Sequence, residues 1–368
     1  MAEFRVVKDK TPAEMGYRFP AEWEPQSGTW FSWPRPEGIS FPDSYHKIPA
    51  NFASIFNAIT PRQLVHVNVP NSNYERIVRS QLKEHGVNLR KVRFHHIKTN
   101  ESWCRDHGPA FVVREEEGAE RVAVVDWGFN AWGGKYPPYD DDDAVPTRIA
   151  ERAGLPLFLP GIVMEGGAID VNGLGSLLTT ESCLLNPNRN PGVPKKQIER
   201  YLRDFYGQTN ILWLGEGIEG DDTDGHVDDL ARFIDPTTIA VAEEPDASDP
   251  NHAILAENTR RCRSLKDQDG AAFDLCVLPM PKRIERDGQR LPATYLNFLF
   301  VNGALLVPTF RDRRNDRRAL AILGERLPGH EVVGIDCTEL IWGLGAIHCA
   351  SQQVPAAFTM PPETARKA

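Results

Sequence analysis

Cys349 sits near the C-terminal end, in Ile347-His348-Cys349-Ala350-Ser351-Gln352-Gln353. Two dense polar clusters lie far upstream: Trp103-Cys104-Arg105-Asp106-His107-Gly108-Pro109 and Asp224-Gly225-His226-Val227-Asp228-Asp229. A single thiol with a distant histidine and distant carboxylates is the outline of a nucleophilic thiol enzyme. Glu165, in Glu165-Gly166-Gly167, adds another acid. Carboxylates gathered in one dry site repel each other and are costly to bury. A cationic substrate resolves that conflict. A planar guanidinium pairs with carboxylates through bidentate hydrogen bonds, and its central carbon is electrophilic toward a thiolate.

Each of these residues also has a plainer reading. A cysteine in an apolar segment is more often an inert core thiol. His226 and Asp228 would serve equally well as a structural pair at the start of a strand. Trp103 could stack on a cation or simply pack. His348 adjoins Cys349 in sequence, so strand alternation turns it away and gives it a structural role. No ligand spacing such as HxxxH connects these histidines and acids, so neither a metal nor a cofactor is expected.

Residues so far apart need a fold that brings them together, and a weak internal repeat supplies one. Four segments share a plan of polar cluster, apolar strand, turn and second apolar strand. They begin at residues 109, 168, 230 and 296, in steps of 59, 62 and 66. Their turns carry Glu117-Gly118, Asn172-Gly173, Asp235-Pro236 and Asn302-Gly303, which are turn signals. Between them, Lys195 to Tyr206 sets Ile198, Tyr201, Leu202 and Phe205 on one helical face, and 74–85 and 316–326 follow the same pattern. Short strands are expected after these helices at 64–69, 211–214 and 331–335. A fifth copy pairs 29–33 with 346–350 and closes a ring by joining the chain ends. Repeats of this length are arranged radially or in line. Asp106, Glu165 and His226 each precede a hairpin at the same phase, so in a ring they face one central pocket with Cys349.

The 368 residues are 41% hydrophobic and 25% charged, an ordinary globular mix with ample length for a core. A net charge of -9 gives no footprint for nucleic acid and suits a small cationic partner. Six widely spaced cysteines, at 104, 183, 262, 276, 337 and 349, contain no CxxC pair. They imply free thiols in a reducing cytoplasm rather than a disulfide framework. No apolar leader or membrane-length apolar run is seen. One domain over 1–368 is expected, with flexible ends at 1–12 and 362–368 and a solvated acidic loop at Asp140 to Asp143. The sequence leaves homo-oligomerisation open.

These motifs, taken in order, closely resemble the agmatine deiminases, within the guanidine-modifying superfamily that includes the peptidylarginine deiminases. The resemblance runs almost end to end. It is carried by Pro20-Ala21-Glu22-Trp23-Glu24-Pro25, Trp103 with Arg105-Asp106, and Asp126-Trp127-Gly128-Phe129-Asn130-Ala131-Trp132-Gly133-Gly134. Glu165-Gly166-Gly167, Asn186-Pro187-Asn188-Arg189-Asn190-Pro191, Asp222-Thr223-Asp224-Gly225-His226-Val227-Asp228, Tyr295 with Asn297-Phe298, and Ile347-His348-Cys349 continue it. The fold this implies is the five-bladed α/β-propeller, the pentein fold. By resemblance, Cys349 is the nucleophile, His226 the acid/base, and Asp106 and Asp228 the grip on the guanidinium. Glu165, Trp103 and Asn297 line the substrate site. The implied reaction is hydrolysis of agmatine to N-carbamoylputrescine and ammonia through a covalent thiouronium. Alternatives on the same fold are deimination of free or peptidyl arginine, amidino transfer, and binding without catalysis. The chain departs from the family pattern at Gly343-Leu344-Gly345-Ala346, where Gly-Gly-Gly-Asn is usual, at Ser351 for Thr, and at Asp229 for Asn.

Overall fold

A computed structural model describes residues 4–361. Five sheets repeat one plan: an antiparallel hairpin, a helix, then a strand parallel to the second arm of the hairpin. The first sheet joins Ala110–Glu116 to Ala119–Val125, passes through the helix Val145–Ala153 and adds Pro156–Phe158. The second comprises Ile169–Val171, Ser176–Thr180, the helix Lys195–Tyr206 and Asn210–Leu214. The third comprises Ala231–Asp235, Thr238–Glu243, the helix Asn251–Ser264 and Asp274–Pro279. The fourth comprises Leu299–Val301, Ala304–Thr309, the helix Arg313–Arg326 and Glu331–Asp336. The fifth unites the two ends of the chain. Ser351–Pro355 pairs antiparallel with Gln26–Ser32, and Leu64–Val69 and Val92–His96 follow in parallel after the helices Ile48–Ile59 and Ser72–Glu84.

The helix Lys195–Tyr206 shows why the plan holds locally. Ile198, Leu202 and Tyr206 recur at helical spacing and are buried, and Gly207 ends the helix with φ +66°, a conformation that glycine adopts without strain. Together with Leu177 and Ile169 these residues form one apolar cluster between helix and sheet. Val145, Ile149 and Ala150 close on Val124 and Leu157 of the first sheet in the same way.

Three expectations change. The strand that closes the fifth sheet is Ser351–Pro355, not 346–350. Residues 344–350 form turns instead, held by bonds such as Ala350 N–H to the Ala346 carbonyl (3.2 Å) and Ser351 N–H to the His348 carbonyl (3.0 Å). Asp140–Asp143 is a helical turn rather than a solvated loop. Asp142 is buried there because its carboxylate accepts from the backbone N–H of Asn100 (2.8 Å) and Glu101 (3.1 Å). Within the stretch 1–12 expected to be loose, Arg5–Val7 pairs parallel with Pro156–Phe158. The expected flexible end 362–368, like residues 1–3, lies outside the described residues. No helix among the described residues is long and apolar enough to cross a membrane.

Candidate active site

The short segment before each sheet's first strand carries the polar clusters, and these segments meet. Cys104–His107 and Gly166–Ala168 lie together, and Gly166–Ala168 lies against Val227–Asp229. The turn holding Cys349 is tied to the first of them by the Arg105 N–H, which donates to the Cys349 carbonyl at 3.0 Å. Close approach requires small residues. A Cβ on Gly167 would lie 2.5 Å from His226 Nδ1 and 2.8 Å from Asp106 Oδ1, so only glycine fits between the acid and the imidazole. A Cβ on Gly166 would lie 2.2 Å from the Arg105 carbonyl oxygen.

Asn297 organises the thiol. Its Oδ1 accepts the backbone N–H of His348 (3.0 Å) and of Cys349 (3.2 Å), and its Nδ2 lies 3.0 Å from Cys349 Sγ. The same Nδ2 lies 3.3 Å from Asp228 Oδ2 and 3.0 Å from Asp229 Oδ1. Cys349 Sγ is 3.7 Å from Asp228 Oδ2. Burial, reinforced by the charges of Asp228, Asp229 and Asp106, holds the Cys349 thiol well above its usual pKa.

Asp106 accepts from the Trp132 indole N–H (2.9 Å) and the Gly167 N–H (3.0 Å), and its Oδ1 is 3.7 Å from His226 Nδ1. Burial pushes the Asp106 carboxyl up to about 6, with His226 opposing. Burial also opposes charging of His226. Asp106, Cys183 and Glu165 outweigh it and keep the imidazole pKa well above its usual value. Burial alone would raise Asp228. His348 Nδ1, 2.7 Å from Asp228 Oδ2, overrides that and pulls the carboxyl down. Glu165 is anchored through Oε1 by the Arg189 guanidinium at 2.6 Å.

Several buried polar atoms here have no hydrogen-bond partner among the described residues: Glu165 Oε2, Asp228 Oδ1 and both ring nitrogens of His226. Buried polar groups are almost always satisfied, so the free carboxylate oxygens of Glu165 and Asp228 mark where a ligand's donors belong. Glu165, Cys183 and His226 bring ligand-type atoms within 4.8 Å of one another, as do Asp228, Asp229 and Cys349. Arg189, His348 and Asn297 each engage one oxygen of Glu165, Asp228 and Asp229 respectively.

Above the thiol a cavity of about 120 Å³ opens toward solvent. Cys349 and Asp106 form its buried floor, Trp103, Trp132, Tyr136, Trp342 and Leu344 its walls, and Asp222, Thr223 and Ile39 also line it. Among the described residues, no Arg or Lys lines it.

All seven residues singled out from the sequence converge. Cys349, Asp106 and Trp103 line the cavity, while Asn297, Asp228, His226 and Glu165 are fully buried around its floor. Trp103 is fixed by its indole N–H, which donates to Ser40 Oγ at 2.9 Å. His348 does serve a structural end, but through direct bonds to Asp228 and Glu22 rather than through strand alternation. Sequence reasoning gave no role to Trp132, Arg189 or Glu22, although each lies in a motif already noted. It also missed Tyr136 and Trp342, which stand outside any polar cluster.

The Porphyromonas-type peptidyl-arginine deiminase family matches residues 18–355. An agmatine deiminase of Medicago truncatula is 36% identical, covering 95% of this chain and 99% of its own. One from Pseudomonas aeruginosa is 38% identical, covering 94% and 97%. Among solved structures, the agmatine deiminase of Enterococcus faecalis superposes with a TM-score of 0.88 at 33% identity, covering 95% of this chain and 99% of its own. A Cys-to-Ser variant of C. jejuni agmatine deiminase with substrate bound gives 0.83 at 33% identity, covering 94% and 97%. With a family match across its length and relatives this close, the chain belongs to the agmatine deiminases of the Porphyromonas-type peptidyl-arginine deiminase family.

Proposed function

We propose that this protein is a guanidine deiminase whose substrate is agmatine, which it hydrolyses to N-carbamoylputrescine and ammonia. The observation that carries this reading is the set of unpartnered acceptors, Glu165 Oε2 and Asp228 Oδ1, beside a thiol and an imidazole. A guanidinium supplies planar N–H donors and a positive charge to such a site. Asp106 and Asp228 grip it, Glu165 supports it, Trp103 walls it, and Asn297 holds Cys349 toward its carbon.

The cation's arrival offsets the carboxylates that suppress ionisation of Cys349, so with substrate bound the thiol releases its proton to solvent and the thiolate forms. It attacks the guanidinium carbon and a C–S bond forms. Protonated His226 passes its proton to a departing nitrogen, the C–N bond breaks and ammonia leaves. Neutral His226 then takes a proton from water as the water oxygen bonds to the thiouronium carbon. The C–S bond breaks, the thiolate is restored, and the remaining proton leaves with ammonia as ammonium. No cofactor enters any step.

The cavity favours agmatine over arginine. A substrate carboxylate would need a cation at the entrance, and the lining offers Asp222 instead. Lys135 reaches that acid, with Nζ 3.5 Å from its Oδ1, so it is already engaged. We read the five sheets as five blades of one α/β-propeller domain, with the unpartnered acceptors near its axis. The six free cysteines, all buried, suit a reducing compartment and a cytoplasmic enzyme.

A panel of agmatine, arginine, peptidyl-arginine and methylated arginines, scored for ureido product and ammonia, tests the reading. Agmatine should lead the panel. Cys349→Ser should abolish turnover, and His226→Ala should lower kcat by roughly 10²–10⁴-fold. Arginine turned over faster than agmatine would refute the substrate assignment. Normal turnover by either variant would refute the mechanism.

A further inference from the structure

Leu344 adopts φ +68°, a left-handed conformation that costs a leucine but not a glycine. Its neighbours explain why the backbone is held there. A Cβ on Gly343 would lie 2.6 Å from the Phe41 ring and 2.7 Å from Trp103, and one on Gly345 would lie 2.6 Å from Trp103. The backbone therefore rests directly on the aromatic wall. The Leu344 N–H donates to the Ile341 carbonyl at 2.9 Å, closing the turn that follows Leu340–Gly343. Flanked by two glycines, Leu344 contributes the one side chain of this stretch to the cavity lining. It stands there with Trp103, Trp132, Tyr136 and Trp342.

The lining is graded by burial. Cys349 and Asp106, with Trp103 and Trp132 beside them, are buried, Leu344, Trp342 and Tyr136 are half-buried, and Ile39 is 50% exposed. A ligand with its guanidinium at the floor therefore passes its carbon chain through an apolar collar of which Leu344 is part. Strain retained at such a site signals a functional constraint, because a fold seldom keeps a left-handed leucine without cause.

We infer that Leu344 sets the width of this collar, admitting guanidines on an unbranched carbon chain and excluding those branched at the carbon that bears the second amine. This deepens the deiminase reading and rests on it. Charge and shape must be separated in the test, because the acidic rim disfavours a carboxylate whatever the width. L-Argininamide separates them: it keeps the guanidine, the chain and the distal ammonium of agmatine and adds only a neutral carboxamide branch.

The experiment measures kcat and KM of the full-length wild type, Leu344→Ala and Leu344→Gly on agmatine, L-argininamide and L-arginine. The alanine variant removes bulk and keeps the strained Cβ, whereas the glycine variant removes both. Both should raise kcat/KM for L-argininamide by roughly tenfold or more, mainly through KM, since pocket shape discriminates by about 10–200-fold. The ratio of kcat/KM for L-argininamide to that for agmatine should rise by at least that factor in both variants, and arginine should remain poor. An unchanged ratio of kcat/KM between agmatine and L-argininamide in both variants, each still turning over agmatine, overturns the inference alone. A gain in the glycine variant only would assign the effect to loop mobility and also overturn it. Absence of turnover of any guanidine by the wild type overturns the deiminase reading and this inference with it.

Discussion

Asn297 has two amide hydrogens and three acceptors within reach: Cys349 Sγ at 3.0 Å, Asp229 Oδ1 at 3.0 Å and Asp228 Oδ2 at 3.3 Å. The acceptors compete, and the thiolate gains whatever the carboxylates give up. Asp229 is also held well above its usual pKa, first by burial and then by Asp228 and Asp221. Its charge is among those that raise the thiol. Asp229→Asn keeps the shape, deletes that charge and lowers the ionisation point of Cys349. The rate of iodoacetamide alkylation of Cys349 against pH should therefore rise at a lower pH than in wild type. Cys349→Ser serves as the blank for the five other buried cysteines. A profile superimposable on wild type would show that Asp229 does not tune the thiol.

At the scale of elements, the fifth sheet contains a titratable device unrelated to the candidate site. His66 Nδ1 and His95 Nε2 lie 2.9 Å apart, and both rings stack on Trp30 at centroid distances of 4.7 and 4.6 Å. Burial, with a lesser push from Arg93, lowers His66 to about 4. Burial and then His66 hold His95 well below its usual value. Between pH 6.5 and 4 the unfolded chain carries a proton on each of these histidines that the folded chain refuses. Stability is therefore full above pH 6.5 and falls as pH drops through that window. Denaturation midpoints from pH 7.5 to 4.5 should fall more steeply in wild type than in His66→Gln, with Trp30 fluorescence as a local probe. Parallel slopes would disprove the assignment.

Elements also differ in how legible they were. Lys195–Tyr206 and the hairpins announce themselves, because an apolar stripe of period 3.6 and Asn-Gly or Asp-Pro turns act locally. Asn251–Ser264 gives no such stripe. Its buried positions are Asn251, Leu255, Asn258 and Cys262, and both asparagines are buried to bond backbone atoms of other loops. Asp142 is hidden for the same reason: a long-range partner, invisible in sequence, repays its burial. The candidate site was more legible than the fold around it, because its acids, histidine and thiol fall at one phase of the repeat. Trp132 and Arg189 were not assigned roles, because an indole and a guanidinium that orient Asp106 and Glu165 have the same residue types as ordinary packing and surface charge.

At the scale of the whole molecule, one buried ionic network links all five sheets. Glu22 Oε2 accepts from His348 Nε2 at 2.8 Å and from Arg105 and Arg232 at 3.2 Å each. Glu22 Oε1 accepts the Phe300 N–H at 2.6 Å, and Arg232 reaches Asp170 at 3.2 Å. Arg105 precedes the first sheet, Asp170 lies in the second, Arg232 in the third, Phe300 in the fourth, and His348 precedes the closing strand of the fifth. Through His348 the network also reaches Asp228, so fold closure and the candidate site share a hydrogen-bond chain. Burial would raise the Glu22 carboxyl, but His348, Arg232 and Arg105 outweigh it and hold the carboxyl far below the usual carboxylate range. The sign follows directly. A depressed carboxyl contributes stability above its unfolded pKa and loses it as pH falls toward the folded one. Glu22→Gln removes the carboxylate that Arg105 and Arg232 share, leaving Arg232 with Asp170 and Arg105 with Gln353, and breaking such a buried pair costs about 3–5 kcal/mol. Urea denaturation at pH 7 should show that loss, and the variant should be less sensitive than wild type to acidification below pH 4.5. The double variant Glu22→Gln with Arg232→Met should cost less than the sum of the single changes, because each single change already deletes the same Glu22–Arg232 contact. A Glu22→Gln effect under about 1 kcal/mol, or strict additivity in the double variant, would mean that the sheets close by apolar packing alone and that Glu22 is a passenger.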